Sequence, residues 1–244
     1  MILLYRLDPA ADGPANMAAD ELLAEGLPSG GIAMRFYGWS EPTLSLGAFQ
    51  RFDERCEVPG LATLPVVRRP SGGGAILHGT DLTYAIAVCR SHPWGETAQR
   101  LYDAVHGAAV ELLRGLTLSP RLVEGGEPSP VAGREPYLCF DRRSPGDVVV
   151  EGDKVLGSAQ RRHRAAVVQH GSLLLRRAAH DAGIEDFLGR GVDLPSLCRD
   201  WVAGVASAAG ADPRADMRPA GEAAGEAWRA TVGRYREDGW TRRR

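Results

Sequence analysis

A chain of 244 residues with 44% hydrophobic content can bury a real core, and one domain is the default. Its 29 basic and 31 acidic residues leave a formal net charge of -2, so no general positive field exists to gather nucleic acid or an anionic membrane. No apolar run suits a signal peptide or the ~20 residues of a membrane span, so a cytoplasmic protein is expected.

Residues 1–7 predict a strand and 16–25 a short helix, with Asn16 as its N-cap and Gly26 as its stop. Strands follow at 32–37, 43–46 and 65–69, the last running into Pro70-Ser71-Gly72-Gly73-Gly74. Glycines at a strand end let backbone amides approach a carbonyl or phosphate, with Arg68 and Arg69 as charged donors; the same run also reads as a plain flexible turn. It is not a G-x-x-x-x-G-K-[ST] phosphate loop. Beyond a strand at 83–89, helical spacing of Ala98, Leu101, Ala104, Val105, Ala108, Ala109 and Leu112 predicts a helix over 96–114, closed by Gly115. A loop rich in Gly and Pro covers 124–134.

Short strands are then expected at 147–151, 154–159, 166–170 and 172–175, the first two joined by Gly152-Asp153 as a two-residue hairpin. From Asp181 the pattern turns to alanine-rich helices, one of them over 220–236. Strands and helices mixed without regular alternation favour an α+β domain over a doubly wound sheet. The expected organisation is a single domain over 1–244, with 181–244 as a helical C-terminal extension.

Cys56, Cys89, Cys139 and Cys198 form no C-x-x-C pair, which argues for free thiols rather than a zinc knuckle or disulfide frame. Cys139, between Leu138 and Phe140, has the ordinary surroundings of a small buried hydrophobe. Lys154 follows the hairpin, where a solvated surface lysine is common. Of the 29 basic residues, however, 28 are arginine and Lys154 is the single lysine, so it ranks first among the cations for a role arginine cannot fill. His78 and His170 each read as a base, an orienter or a satisfied structural histidine.

The stretch Gly13-Pro14-Ala15-Asn16-Met17-Ala18-Ala19-Asp20-Glu21, with Arg35-Phe36-Tyr37-Gly38-Trp39, Thr43-Leu44-Ser45-Leu46-Gly47 and Gln50, resembles the opening of the lipoate–protein ligase and octanoyltransferase superfamily. The glycine segment and the run from Gly157-Ser158-Ala159-Gln160 to His170-Gly171-Ser172 continue the likeness in order, over about Leu7 to Leu175. The resemblance implies the fold of biotin ligases and class II aminoacyl-tRNA synthetase cores, a mixed, largely antiparallel sheet packed with helices. Cys139-Phe140 before Gly152-Asp153-Lys154 is similar to the branch that moves octanoyl from acyl carrier protein to a lysine. That branch implies an acyl-thioester on Cys139, with Lys154 lowering the thiol pKa.

It also implies substrate-binding roles for Arg69, Ser71, Gly72, Gly73, Gly74, Ala75, His78, Gly157, Ser158, Ala159, His170 and Gly171. No metal and no cofactor are expected; the partners would be octanoyl-acyl carrier protein and the lipoyl domains of 2-oxoacid dehydrogenase subunits or glycine cleavage H protein. Ser71-Gly72-Gly73-Gly74 is spelled more as in the ATP-dependent ligases, where transferases often place arginine at the third glycine. Asp141-Arg142-Arg143-Ser144-Pro145 also lacks the aromatic residue often found before the transferase hairpin. The alternatives are therefore an ATP- and magnesium-dependent lipoate ligase and a non-catalytic acyl-binding relative. Biotin ligation stands further off, since the basic glycine loop of biotin ligases is absent.

Overall fold

The computed structural model describes residues 1–25, 27, 29–125, 127, 136–175, 192–216 and 225–243. β1 (Ile2–Leu7) leads into α1 (Gly13–Leu22), which starts three residues before the expected helix. Its N-cap is Asp12, whose carboxylate accepts from Ala15 N at 2.9 Å, with Pro14 in the first turn. Asn16 is instead buried within the helix, and its amide donates to Ala11 O and Gly38 O at 3.1 Å each. The short polar side chain does satisfy backbone groups, but those of neighbouring segments rather than of its own helix. Gly26 lies outside the described residues.

β2 (Ile32–Tyr37), β3 (Thr43–Leu46), β4 (Val66–Arg68), β5 (Ile76–His78) and β6 (Asp81–Cys89) follow. A single turn, α2 (Pro93–Glu96), precedes α3 (Ala98–Gly115), which is capped by Thr97. β7 (Pro120–Leu122), β8 (Val148–Val150), β9 (Asp153–Arg162) and β10 (Ala166–Leu174) come next. The turn between β8 and β9 is Glu151-Gly152, one residue earlier than expected. Both residues take positive φ, 51° and 90°, the signature of a type I′ hairpin. Lys154 thus lies within a strand, and it is buried rather than solvated.

β10 replaces two expected strands with one continuous strand. Gly171, read as a break, sits mid-strand because a Cβ there would meet Ser158 Oγ at 2.1 Å and Tyr84 Cε1 at 2.6 Å. It is a glycine for lack of space.

Of the residues expected to form a C-terminal extension, 181–191, 217–224 and 244 lie outside the described ones. The described remainder gives α4 (Leu194–Ala209), β11 (Asp212–Ala215), α5 (Gly225–Arg236) and α6 (Asp238–Thr241). This region is not purely helical, since β11 joins the edge of the sheet.

The large sheet runs β11-β1-β2-β6-β10-β9-β8-β7, and β4-β3-β5 form a smaller one. β1 is parallel to β11 and β2; the other neighbours in the large sheet are antiparallel. Side chains alternate between its faces with period two. Tyr84, Ile86 and Val88 point to the side of α3 and α4, where Leu101, Val105, Trp201 and Val205 are fully buried. Ala85, Ala87 and Val168 point to the opposite side, onto α1 and α5. His170 and Ser172, which continue the alternation from Val168, therefore face the side where the small sheet carries the glycine segment. Each large side chain buried here contributes ~1.5–3 kcal/mol. No helix of the described residues is long and apolar enough to cross a membrane.

Candidate active site

Cys139 begins a single 3-10 turn, Cys139–Asp141, and is pinned to the glycine segment from both sides. Ala75 N donates to Tyr137 O at 2.9 Å, and Cys139 N donates to Ala75 O at 2.7 Å. A Cβ on Gly74 would come within 3.0 Å of Cys139 N, so a larger residue there would push the two segments apart.

Lys154 reaches this turn from β9. Its Nζ lies 3.6 Å from Cys139 Sγ and 3.2 Å from Cys139 O. It also forms a buried ion pair with Asp147 Oδ2 at 2.7 Å. Asp147 is held in turn by Tyr102 OH at 3.0 Å and by Ser144 N at 2.8 Å. An unpaired charge at such depth costs several kcal/mol, so the carboxylate makes the buried ammonium tenable.

The cavity over Cys139 is lined by Arg69, Gly73, His78, Gly157, Ser158, Ala159, His170 and Gly171, all singled out from the sequence. Gly72, Gly74 and Ala75 stand behind this wall: Gly72 O and Gly74 O accept from Arg69 Nη2 at 2.9 and 2.6 Å, while Ala75 secures Cys139. Ser71 meets the cavity through His170, to which its Oγ is hydrogen-bonded. Met17, Tyr37, Trp39, Ser45, Ile76, Thr83 and Ser172 complete the lining and were not singled out. The alternation along β2 and β10 is the one signal that could have pointed to Tyr37 and Ser172. The lining interleaves Met17, Tyr37, Trp39, Ile76 and Ala159 with polar side chains from both sheets.

Two histidines border it in the same way, each between a serine and an aspartate. His78 Nε2 meets Ser45 Oγ and its Nδ1 meets Asp81 Oδ2, both at 2.8 Å. Burial alone would raise the Asp81 carboxyl, but His78 and hydrogen bonds from Ser172 and Thr83 hold it at about 2. His170 Nε2 meets Ser71 Oγ, and its Nδ1 meets Asp20 Oδ2 at 3.2 Å. Asp20 is anchored by Arg35 Nη1 at 2.6 Å and Tyr37 OH at 2.8 Å. Asp20, Ser45, Asp81 and Asp147 were given no site role from the sequence, because each is one ordinary polar residue until the sheet brings its partner to it.

Burial pushes the Arg69 guanidinium down to about 10. Its Nη1 donates to Ser45 O at 2.8 Å, while its buried Nε has no hydrogen-bond partner among the described residues. That leaves one buried donor of a cavity-lining cation without a partner. All four cysteines are free. Burial raises the Cys198 thiol to about 12, whereas Cys139 is the one beside the single lysine. Among the described residues no group of three or more His, Cys, Asp or Glu side chains is placed to hold a metal ion.

Solved structures of similar fold include Ta0514, a putative lipoate protein ligase from T. acidophilum, at TM-score 0.73, 19% identity and full coverage of both chains. A lipoate-protein ligase A bound with ATP matches at TM-score 0.71 and 19% identity over 99% of this chain and 98% of that one. Octanoyltransferase LipM of Anoxybacillus flavithermus is 38% identical over 180 residues, and that of Bacillus subtilis is 36% identical over 180 residues. Each alignment covers 69% of this chain and 64% of the relative, so the chain spans just under two thirds of the curated relatives it matches. The profile of the lipoyl protein ligase A/B catalytic domain matches residues 12–188, most of the chain and all of the cavity wall, and the chain belongs to that family.

Proposed function

We propose that the protein is an acyltransferase of lipoate metabolism that moves octanoyl from acyl carrier protein, through a thioester on Cys139, to the lysine of a lipoyl domain. The observation that carries this reading is the 3.6 Å approach of Lys154 Nζ to Cys139 Sγ, with Cys139 in the wall of the cavity. The Cys139 sulfur attacks the donor thioester and the carrier thiol leaves. The acceptor amine then attacks the new thioester and frees Cys139 again. Covalent catalysis splits the exchange into two transfers sharing one pocket. The first is nearly isoenergetic and the second runs downhill from thioester to amide, so no nucleotide is needed.

The ammonium of Lys154 balances the charge on sulfur in both halves. The amides around Gly73-Gly74 are donors for the tetrahedral oxyanion, a contact often worth ~3 kcal/mol. The acceptors are the lipoyl domains of 2-oxoacid dehydrogenase subunits or glycine cleavage H protein, and the free thiols suit the cytoplasm. The test mixes the protein with octanoyl-acyl carrier protein in chelator and apyrase. Intact mass should show one octanoyl group, released by hydroxylamine and missing in Cys139→Ala. Transfer that survives in Cys139→Ala, or that requires ATP and free octanoate, refutes the reading in favour of a ligase. Octanoyl held on the protein but never passed to a lipoyl domain would leave an acyl-binding relative.

A further inference from the structure

We propose that His170 is the base that takes the proton shed by the acceptor amine as it attacks the acyl group on Cys139. The inference rests on the transfer reading above. In that step the neutral amine adds to the thioester carbon, so that the N–C bond forms and the C–S bond breaks. The sulfur leaves as a thiolate beside Lys154, and the nitrogen passes a proton to His170 Nε2, which returns it to solvent.

Lys154 is poorly placed to accept that proton. An ammonium has donors and no lone pair, and its donors are already aimed at Asp147, Cys139 O and Cys139 Sγ. The two cavity histidines are the other candidates. In each, the carboxylate at Nδ1 accepts a hydrogen bond from the ring N–H, which leaves Nε2 with its lone pair. The carboxylate also stabilises the imidazolium once that lone pair is used.

His78 is committed elsewhere. Its ring is stacked 3.9 Å from the Trp39 ring, and its Nε2 partner, Ser45 Oγ, is itself held by Arg69 Nη1 at 3.2 Å. Asp81 is further occupied by Ser172, Thr83 and Gly79 N. The His170 side chain is 10% exposed against 4% for His78, and its partner hydroxyl belongs to Ser71 at the head of the glycine segment. A serine hydroxyl can rotate and give up the lone pair to an incoming amine. His170 and Cys139 both line the cavity, so base and sulfur face the same space.

The experiment isolates octanoyl-enzyme of the parent, His170→Gln and His170→Gly, adds apo lipoyl domain and follows loss of the acyl group by intact mass. Deacylation of His170→Gln should slow ~100-fold or more, the ordinary share of a general base. Imidazole should restore His170→Gly, and across a series of methylimidazoles the restored rate should rise with their basicity. Asp20→Asn, a positioning variant, should lower the deacylation rate constant while leaving the KM for lipoyl domain in place. Deacylation of His170→Gln within ~5-fold of the parent would overturn the proposal. So would rescue indifferent to basicity, or variants that keep the parental circular dichroism yet never accept octanoyl. A parent chain that never carries octanoyl on Cys139 would overturn the transfer reading, and this proposal with it.

Discussion

The ammonium of Lys154 stands 2.7 Å from the Asp147 carboxylate and 3.6 Å from the Cys139 sulfur. The nearer anion therefore fixes where the cation sits beside Cys139. Asp147→Asn leaves the buried ammonium uncompensated, which should cost ~3–5 kcal/mol of stability. Acylation of Cys139 should fall at least ~10-fold, as misplacement of a catalytic group by a fraction of an ångström commonly does. Asp147→Glu, which keeps the charge, should recover part of both. Urea denaturation and single-turnover acylation check this, and parental values in Asp147→Asn would make the pair incidental.

Lys154→Arg should fail nearly as badly as Lys154→Ala although the charge is kept. A Cβ on Gly157 would lie 2.5 Å from Lys154 Cε and 2.8 Å from Nζ, so β9 closes tightly around the ammonium. A planar guanidinium has its donors in fixed directions and cannot fill that space without displacing the Cys139 turn. Alkylation of Cys139 by iodoacetamide and transfer to a lipoyl domain should both drop in the two variants. Near-normal rates in Lys154→Arg would mean that any cation suffices, and that the single lysine reflects composition alone.

Gly47→Ala tests the seating of the glycine segment. A Cβ at Gly47 would lie 2.0 Å from Gly73 O, a backbone atom that yields only if the segment moves. The strain should cost ~1–3 kcal/mol. A shift of about an ångström at Gly73 should cost up to ~100-fold in transfer. The informative result is a variant with a modest loss of Tm and a large loss of rate. A fully active Gly47→Ala would show that the segment tolerates displacement.

The sequence was most legible where the signal is local or carried by a motif. Cys139, Lys154 and the cavity-lining glycines were found through resemblance, with the lone lysine as an independent pointer. The long amphipathic α3 was found through its periodicity. Three-residue strands such as β5 and β7 have no period to detect, and the glycine run in front of β5 masked it further. Gly171 misled because glycine marks both turns and tight contacts, and only the neighbouring Ser158 and Tyr84 tell the two apart. Asp20 and His170 are 150 residues apart, and Arg69 reaches Ser45 across 24. Such pairs exist only once the strand order is known. The hairpin shifted by one residue because Glu-Gly and Gly-Asp are both credible turns, and the pairing of Val150 with Asp153 decides between them.

The last prediction concerns acid stability and His106. Its ring is fully buried between Gly146 O, 2.7 Å from Nδ1, and Ser158 Oγ, 2.7 Å from Nε2. Burial, helped by the charge of Lys154 and opposed by the hydrogen bond to Gly146, lowers its pKa to about 3. As the pH falls below ~6.5 an unfolded chain protonates this histidine while the folded one does not. The unfolded state then binds more protons, so stability must fall with pH between ~6.5 and about 3, by at most ~1.4 kcal/mol per unit. Above ~6.5 the contribution is complete and flat. Burial also lowers His92 and His163, so the parent curve by itself does not isolate the effect. The difference between parent and His106→Gln does, because Asp81, held at about 2, titrates below the window from pH ~5 to ~7. Urea denaturation across that window should give a shallower pH dependence for His106→Gln than for the parent. Parallel curves would show that the buried ring takes up its proton in the folded protein as readily as in the unfolded chain.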